Sequence, residues 1–362
     1  MNRRQFITST SLAAALLATM DRRVFAQDEK LRPLLKREKV DDQIDLAIQY
    51  LSTKQNEDGS ICDADFAKLA MTSLAVLALL SVGHLPSDKT TQGQMIRRAL
   101  AYVLRPERQA KNGYFGQSDN SRMYGHGITT LMLAEIAGMG LDDTHDKLVI
   151  DRLNKALDLI IRSQSIKKDA ANQGGWRYEP DSIDSDLSIT VWQVMALRSA
   201  KNAGIEVPSS AIDSAVKYVR STYKSHRDAN GNPTDKASGF AYVPSSTVTY
   251  SSATAGMLAM QVCGHYDAPE VKGATEWLIT HRPELKWGEQ WFFYGTYYFA
   301  QGMHQVGGPI AEDARREVER VLLPQQRKDG SWPATESGSI YSTSLAILSL
   351  SVKYHYLPIY QR

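Results

Sequence analysis

Asp184 and Asp186, two residues apart and followed by Trp192, are the side chains of this 362-residue sequence best placed to act together. Paired carboxyls can give and take protons, and an indole offers its face to a positive charge. They lie in GGWRYEPDSIDSDLSITVWQVMALRSAKNAG, residues 174–204, which reads as a Gly-aromatic turn, an acidic lead-in and a helix. An Asp just before an apolar helix is also an ordinary N-cap, accepting the first free amide hydrogens. Comparable lead-ins supply Asp63, Asp65, Tyr124, His126, Tyr250, Tyr294 and Tyr341, while Trp192 and Tyr297 follow within the helices. If those helices share one rim, these residues surround a polar mouth above an apolar interior, where a small ligand could bind.

The elements that must position them repeat. Six times an amphipathic helix is followed by a polar linker, a turn of Gly with an aromatic or apolar residue, and a more uniformly apolar helix. The first helices are expected to begin near Asp41, Gln94, Val149, Ser210, Val271 and Ala311. The turns fall at Gly59, Gly113, Gly175, Gly239, Gly288 and Gly330, a mean spacing of about 54 residues, enough for two helices and two connections. In the third unit Leu153, Ala156, Leu157 and Ile160 form one stripe, whereas the helix after Asp186 is apolar nearly all round. The first kind keeps one face in water and the second is buried on most sides. An inner ring of six helices inside an outer ring satisfies both, with an open solenoid as the alternative. Gly83, Gly140, Gly204, Gly264 and Gly307 are placed to end the inner helices as left-handed C-caps.

The stretch Leu323–Trp332, LPQQRKDGSW, resembles the QW repeat of the prenyltransferase and squalene cyclase superfamily, and Gln55 with Gly59 and Gln164 with Trp176 are weaker copies. Segments such as Met123–Gly127, Phe293–Thr296 and Ile340–Tyr360 are similar to exported bacterial proteins with prenyltransferase/squalene oxidase repeats. The resemblance implies an all-α fold, a single (α/α)6 toroid over residues 41–362, in which Gln and Trp tie neighbouring outer helices together. It also implies a terpene cyclase-like use of the Asp184-Ser185-Asp186 segment, which stands where the cyclases carry D-x-D-D-T and has Leu187 in place of the third acid. Asp186 would then be the acid that protonates an alkene, Asp184 the carboxylate that raises its pKa, and Trp192, Tyr294, Tyr297 and Tyr298 the faces for a carbocation.

Residues 1–26 read as a twin-arginine signal peptide, with Arg3 and Arg4 before an apolar run and cleavage after Ala26, and 27–40 as a linker. Export to the periplasm or beyond is the expectation. Its removal takes away four Arg and one Asp, so the formal charge of +2 becomes −1 and gives no reason to expect nucleic acid as a partner. The longest apolar run, Leu69–Val82, is too short to span a bilayer, so no transmembrane anchor is expected. Cys62 and Cys263 fall at opposite ends of inner helices, which argues against a disulfide or a shared metal; no metal and no cofactor is expected.

Three functions fit. The leading one is a ring that binds a small molecule, an isoprenoid in the cyclase-like case, in a central cavity with Asp186 as acid. The second is a non-catalytic interaction platform in the periplasm. The third is a carbohydrate-active enzyme using Asp186 or His126 as general acid or base. Tyrosines outnumber phenylalanines 17 to 8, which suits a sugar at the mouth, while the Met, Leu, Ala and Val of the inner helices suit an isoprenoid below it.

Overall fold

Amphipathic and uniformly apolar segments alternate along the chain, and each folds as a helix. The computed structural model describes residues 37–63, 66–139, 142–281, 286–333, 337–354 and 356–361. The expected signal peptide, most of the linker, Asp65 and Gly140 lie outside them. Among the described residues there are twelve α-helices and no strand, only isolated bridges. They are α1 (Lys39–Thr53), α2 (Lys68–Ser81), α3 (Thr91–Val103), α4 (Arg122–Ile136), α5 (Asp143–Gln164), α6 (Leu187–Asn202), α7 (Ser209–Ser221), α8 (Tyr250–Val262), α9 (Pro269–Thr280), α10 (Phe292–Val306), α11 (Gly308–Leu322) and α12 (Ser339–Leu350).

The even-numbered helices pack in sequence, and α12 packs back on α2, so the inner ring is closed rather than open. Each odd-numbered helix lies outside the inner helix that precedes it, with α1 on α12. Burial follows the patterning. Every residue of α2 from Leu69 to Ser81 is buried, whereas α11 buries only Ala314, Val318, Val321 and Leu322, one stripe at helical spacing. Outer helices begin one to six residues earlier than the apolar pattern suggests, and a polar residue can complete the first turn. In α5 it is Asp142 that does so, its Oδ1 accepting the amides of Thr144 and His145 at 2.9 Å each.

The unit-to-unit joint is a glutamine. Nε2 of Gln55 donates to the Gly59 carbonyl of its own turn (3.1 Å) and to the Met95 carbonyl of the next outer helix (2.9 Å). Gln109, Gln164 and Gln326 repeat this with Arg152, Ala211 and Gln43, the last closing the ring onto α1. The glycine of each such turn, Gly174 rather than the expected Gly175 in the third unit, lies against the carbonyl three residues further on, and at Gly59 and Gly330 an added Cβ would overlap Arg98 O and Leu46 O. Both glycines also have φ near +90°. The tryptophans act differently from the expectation. Trp176 and Trp332 donate Nε1–H at 2.8 Å to Ile160 O and Leu322 O, each on its own unit's outer helix. Gln therefore joins neighbours, and Trp fixes the turn within one hairpin.

The inner helices interlock at their N-terminal rim. Asp119, in the second lead-in, accepts the Leu69 and Ala70 amides of α2, and Asp63, in the first, accepts Ser339 N (2.7 Å) and Ile340 N (3.3 Å) of α12. Carbonyls of Tyr178 and Tyr242 do the same at 2.9 Å for Met123 of α4 and Leu187 of α6. The first four lead-ins thus supply acceptors to the helix of the unit before them in the ring. At the opposite end, Gly83, Gly204, Gly264 and Gly307 have positive φ where inner helices stop, and the second inner helix turns at Gly138.

Candidate functional site

Asp186 has no exposed surface and sits at the N-cap of α6 in extended conformation, its main chain bridged to Trp176. Its Oδ1 accepts Ile189 N (2.9 Å) and Ser188 Oγ–H (2.7 Å). Its Oδ2 accepts the Tyr242 hydroxyl (3.0 Å) and lies 3.3 Å from Arg177 Nε. Burial raises the Asp186 pKa, while these donors and the guanidinium pull it down. Asp184 is half exposed and its Oδ2 takes Arg177 Nη1 at 2.8 Å. Arg177 therefore stands between the two acids. The expected role of Asp184, a bare carboxylate raising the pKa of Asp186, is replaced by desolvation, because the cation compensates its charge.

Inside the rim an aromatic column crosses the bore. Tyr124 of α4 meets Ser188 Oγ at 2.5 Å, and the Tyr294 hydroxyl of α10 donates to Ser188 O at 3.3 Å. Below them Tyr294 and Tyr298 are edge to face (4.6 Å between centroids), and Trp192 of α6 stacks on Tyr297 of α10 at 5.9 Å and 14°. These contacts join the third and fifth units directly, past α8. Trp192, Tyr297 and Tyr298 are at most 2% exposed, so residues expected to line an open cavity pack on one another instead. Tyr341 of α12 is close enough to Tyr294 to raise the pKa of its hydroxyl, after burial and Tyr124. A surface recess of about 370 Å³ lies away from the bore, between α1 and the sixth turn.

Three other expected residues are elsewhere. Asp63 caps α12, as described. Tyr250 packs on Phe299 (5.8 Å), its hydroxyl buried without a hydrogen-bond partner among the described residues. Burial, and after it the charge of Glu317 on the outer helix α11, raises the pKa of that hydroxyl. His126 is fully buried between rings of Tyr114 and Phe115. Its Nδ1 accepts Phe115 N (3.3 Å), leaving Nε2–H to donate to Ala156 O (3.2 Å) on α5. Thr72, Thr190 and Thr343 occupy the same place in three other units, their hydroxyls accepting Ile61 N, Trp176 N and Trp332 N. His126 is thus the second unit's version of a turn anchor, and burial lowers its pKa to about 4. Cys62 and Cys263 are free thiols, and among the described residues no three His, Cys, Asp or Glu are grouped to hold a metal.

The type II terpene cyclase MstE from Scytonema, in its apo form, superposes on this chain with a TM-score of 0.54 and 15% identity, covering 88% of this chain and 99% of that one. An aspartate-to-asparagine variant of MstE in complex with its substrate geranylgeranyl dihydroxybenzoate gives 0.55 and 15%, covering 88% and 97%. The fold is terpene cyclase-like. No family model and no curated protein matches the sequence.

Around the acid of this terpene cyclase-like ring, sequence reasoning missed three residues. Arg177 alternates with the buried Trp176 in the extended lead-in and so points to the Asp186 side of the rim; its guanidinium also lies over the rings of Tyr178 and Tyr242 (5.2 and 5.8 Å). The hydroxyls of Tyr178 and Tyr242 meet at 2.6 Å. Lys168 is nearly buried and its Nζ reaches Gly175 O, Asp184 O and Ser185 Oγ, with desolvation lowering its pKa to about 8. The alternation around Trp176 was the available signal for Arg177; the fourth-unit lead-in carries no pattern that would have singled out Tyr242.

Proposed function

We propose that this protein is an exported, terpene cyclase-like ring that takes an apolar, isoprenoid-class ligand along its axis. The observation that carries the reading is the aromatic column of Tyr294, Tyr298, Trp192 and Tyr297 directly beneath Asp186, the one fully buried rim carboxyl among the described residues. Aromatic faces stabilise a cation without offering it a strong nucleophile. In the protonated state Asp186 is the group that could start such a reaction, giving its proton to an alkene carbon at the rim. The related cyclase MstE has been captured with a geranylgeranyl substrate, which supports the ligand class.

Native mass spectrometry with lipid extraction, on protein recovered from the exported fraction, tests this. A co-purifying isoprenoid, whose turnover is lost in Asp186→Asn while the fold is kept, is the expected result. Recovery from the cytoplasm in uncleaved form would sink the export reading.

A second reading, a non-catalytic platform, is favoured by the four donors around Asp186, which leave it the surroundings of an ionised helix cap. A protein that carries no lipid yet retains a specific protein partner would bring that reading forward.

A further inference from the structure

The two ends of the bore are closed in different ways. At the inner-helix N-termini the closure is the interlocked rim, in which side chains and carbonyls of one unit cap the helix of another. At the other end it is a short segment. After α12 the chain turns through Ser351–Tyr354 and runs back across the bore as a single 3-10 turn, Pro358–Tyr360.

Tyr360 enters between the third and fifth units. Its hydroxyl meets that of Tyr297 at the foot of the aromatic column and donates to Met195 Sδ of α6 at 3.7 Å. Gln305 of α10 donates to the Tyr360 carbonyl at 2.6 Å. Leu357, Ile359 and Tyr360 are each about 5% exposed or less. The fit is incomplete: a gap of about 10 Å³ remains among Ser81, Gln301, Ser351, Val352, Tyr356, Leu357 and Tyr360. That is room for about one water molecule. Tyr356, just before the turn, is 42% exposed and rests on Gly83.

We infer that residues 357–360 form a removable stopper, and that the aromatic column is reached from this end rather than through the rim. Burial of three side chains holds the segment in place, but it is offset by the entropy of ordering a stretch with no helix beyond one turn, the balance expected of a locally opening element. Withdrawal exposes Met195 and the Tyr297 hydroxyl without breaking any inner-helix backbone bond. What passes the opening rests on the isoprenoid reading above; the stopper itself does not.

The experiment compares the full chain with one lacking residues from 357 onward and with Tyr360→Ala. Peroxide oxidation is followed at Met195, under the stopper, and at Met257, a fully buried methionine of α8 that packs against Gly302 and Thr275 away from it. Removal of the stopper should speed oxidation of Met195 at least tenfold and leave Met257 unchanged. Equal rates at Met195 in all three proteins would overturn the inference. Should the deletion loosen the whole fold, both methionines would react faster, and Tyr360→Ala then decides by the same criterion. Hydrogen exchange on the full chain completes the test: the amides of Tyr360 and Gln361 should exchange at least a hundredfold faster than those in the middle of α6, and equally slow exchange refutes removability. Geranylgeraniol is then added to each protein. Faster uptake by the opened chains supports both readings, whereas an opened bore that takes none leaves the stopper standing and removes the isoprenoid.

Discussion

Asp63 and Ser339 are 276 residues apart, and the carboxylate of the first accepts the backbone amide of the second at 2.7 Å. The bond is an N-cap supplied from another unit, and the Tyr50 hydroxyl adds a 2.5 Å contact to Ser339 Oγ. Asp63→Ala should cost about 1–2 kcal/mol of stability, typical of a lost cap. Hydrogen exchange should rise first in the opening turn of α12, not near residue 63.

The glutamine joints should be unequal to the glycines beside them. Gln326→Leu removes bonds to Gln43 O and Gly330 O and should destabilise by about 1–3 kcal/mol. Gly330→Ala should cost more, because the new Cβ meets the Leu46 carbonyl and φ is +89°. Urea unfolding of the two variants gives the order.

His126 sets a pH dependence of known sign. Its pKa falls from 6.5 to about 4 on folding, so between those values the unfolded chain holds a proton that the folded one does not. Its contribution is full above pH 6.5 and is lost as the pH falls through about 4, by roughly 3 kcal/mol. His126→Thr, which copies Thr72, Thr190 and Thr343, should remove that slope. Unfolding free energies of wild type and variant, measured from pH 7 to 4, would show no difference in slope if the histidine titrates normally.

Arg177 should govern the ionisation of Asp186. Arg177→Met removes the cation 3.3 Å from Oδ2 and leaves the desolvation, so the carboxyl should titrate at higher pH than in wild type. Carbon-13 NMR of the labelled Asp186 carboxyl reads this directly. An unchanged or lower titration point would show that the ion pair does not hold the acid down.

The ring was legible because patterning differs between the two helix classes: one stripe in α5 and α11, full circumference in α2 and α6. The glutamine and glycine of the first, third and sixth turns were legible as a motif, whereas the joint at Gln109 was not read, nor was the division of labour between Gln and Trp, since both can donate to carbonyls on either helix. Asp186 was found because it opens a helix. Tyr242 was missed because it belongs to the fourth lead-in and meets Asp186 only when the rim interlocks, and Arg177 because the bridge between Trp176 and Asp186 that sets it beside the acid is not visible in the sequence. His126 was misplaced for a related reason. Its role is visible only when units are superposed and threonine appears in the equivalent places.

Linear repeat arrays fray, because a terminal hairpin has one neighbour and can leave while the others stay. Here no hairpin has that freedom. The first lead-in caps the last inner helix, and Gln326 bonds the first outer helix, so detaching any unit breaks two seams rather than one. The closure should turn a modular chain into one that melts in a single step, with early folding intermediates scarce until the sixth hairpin has met the first.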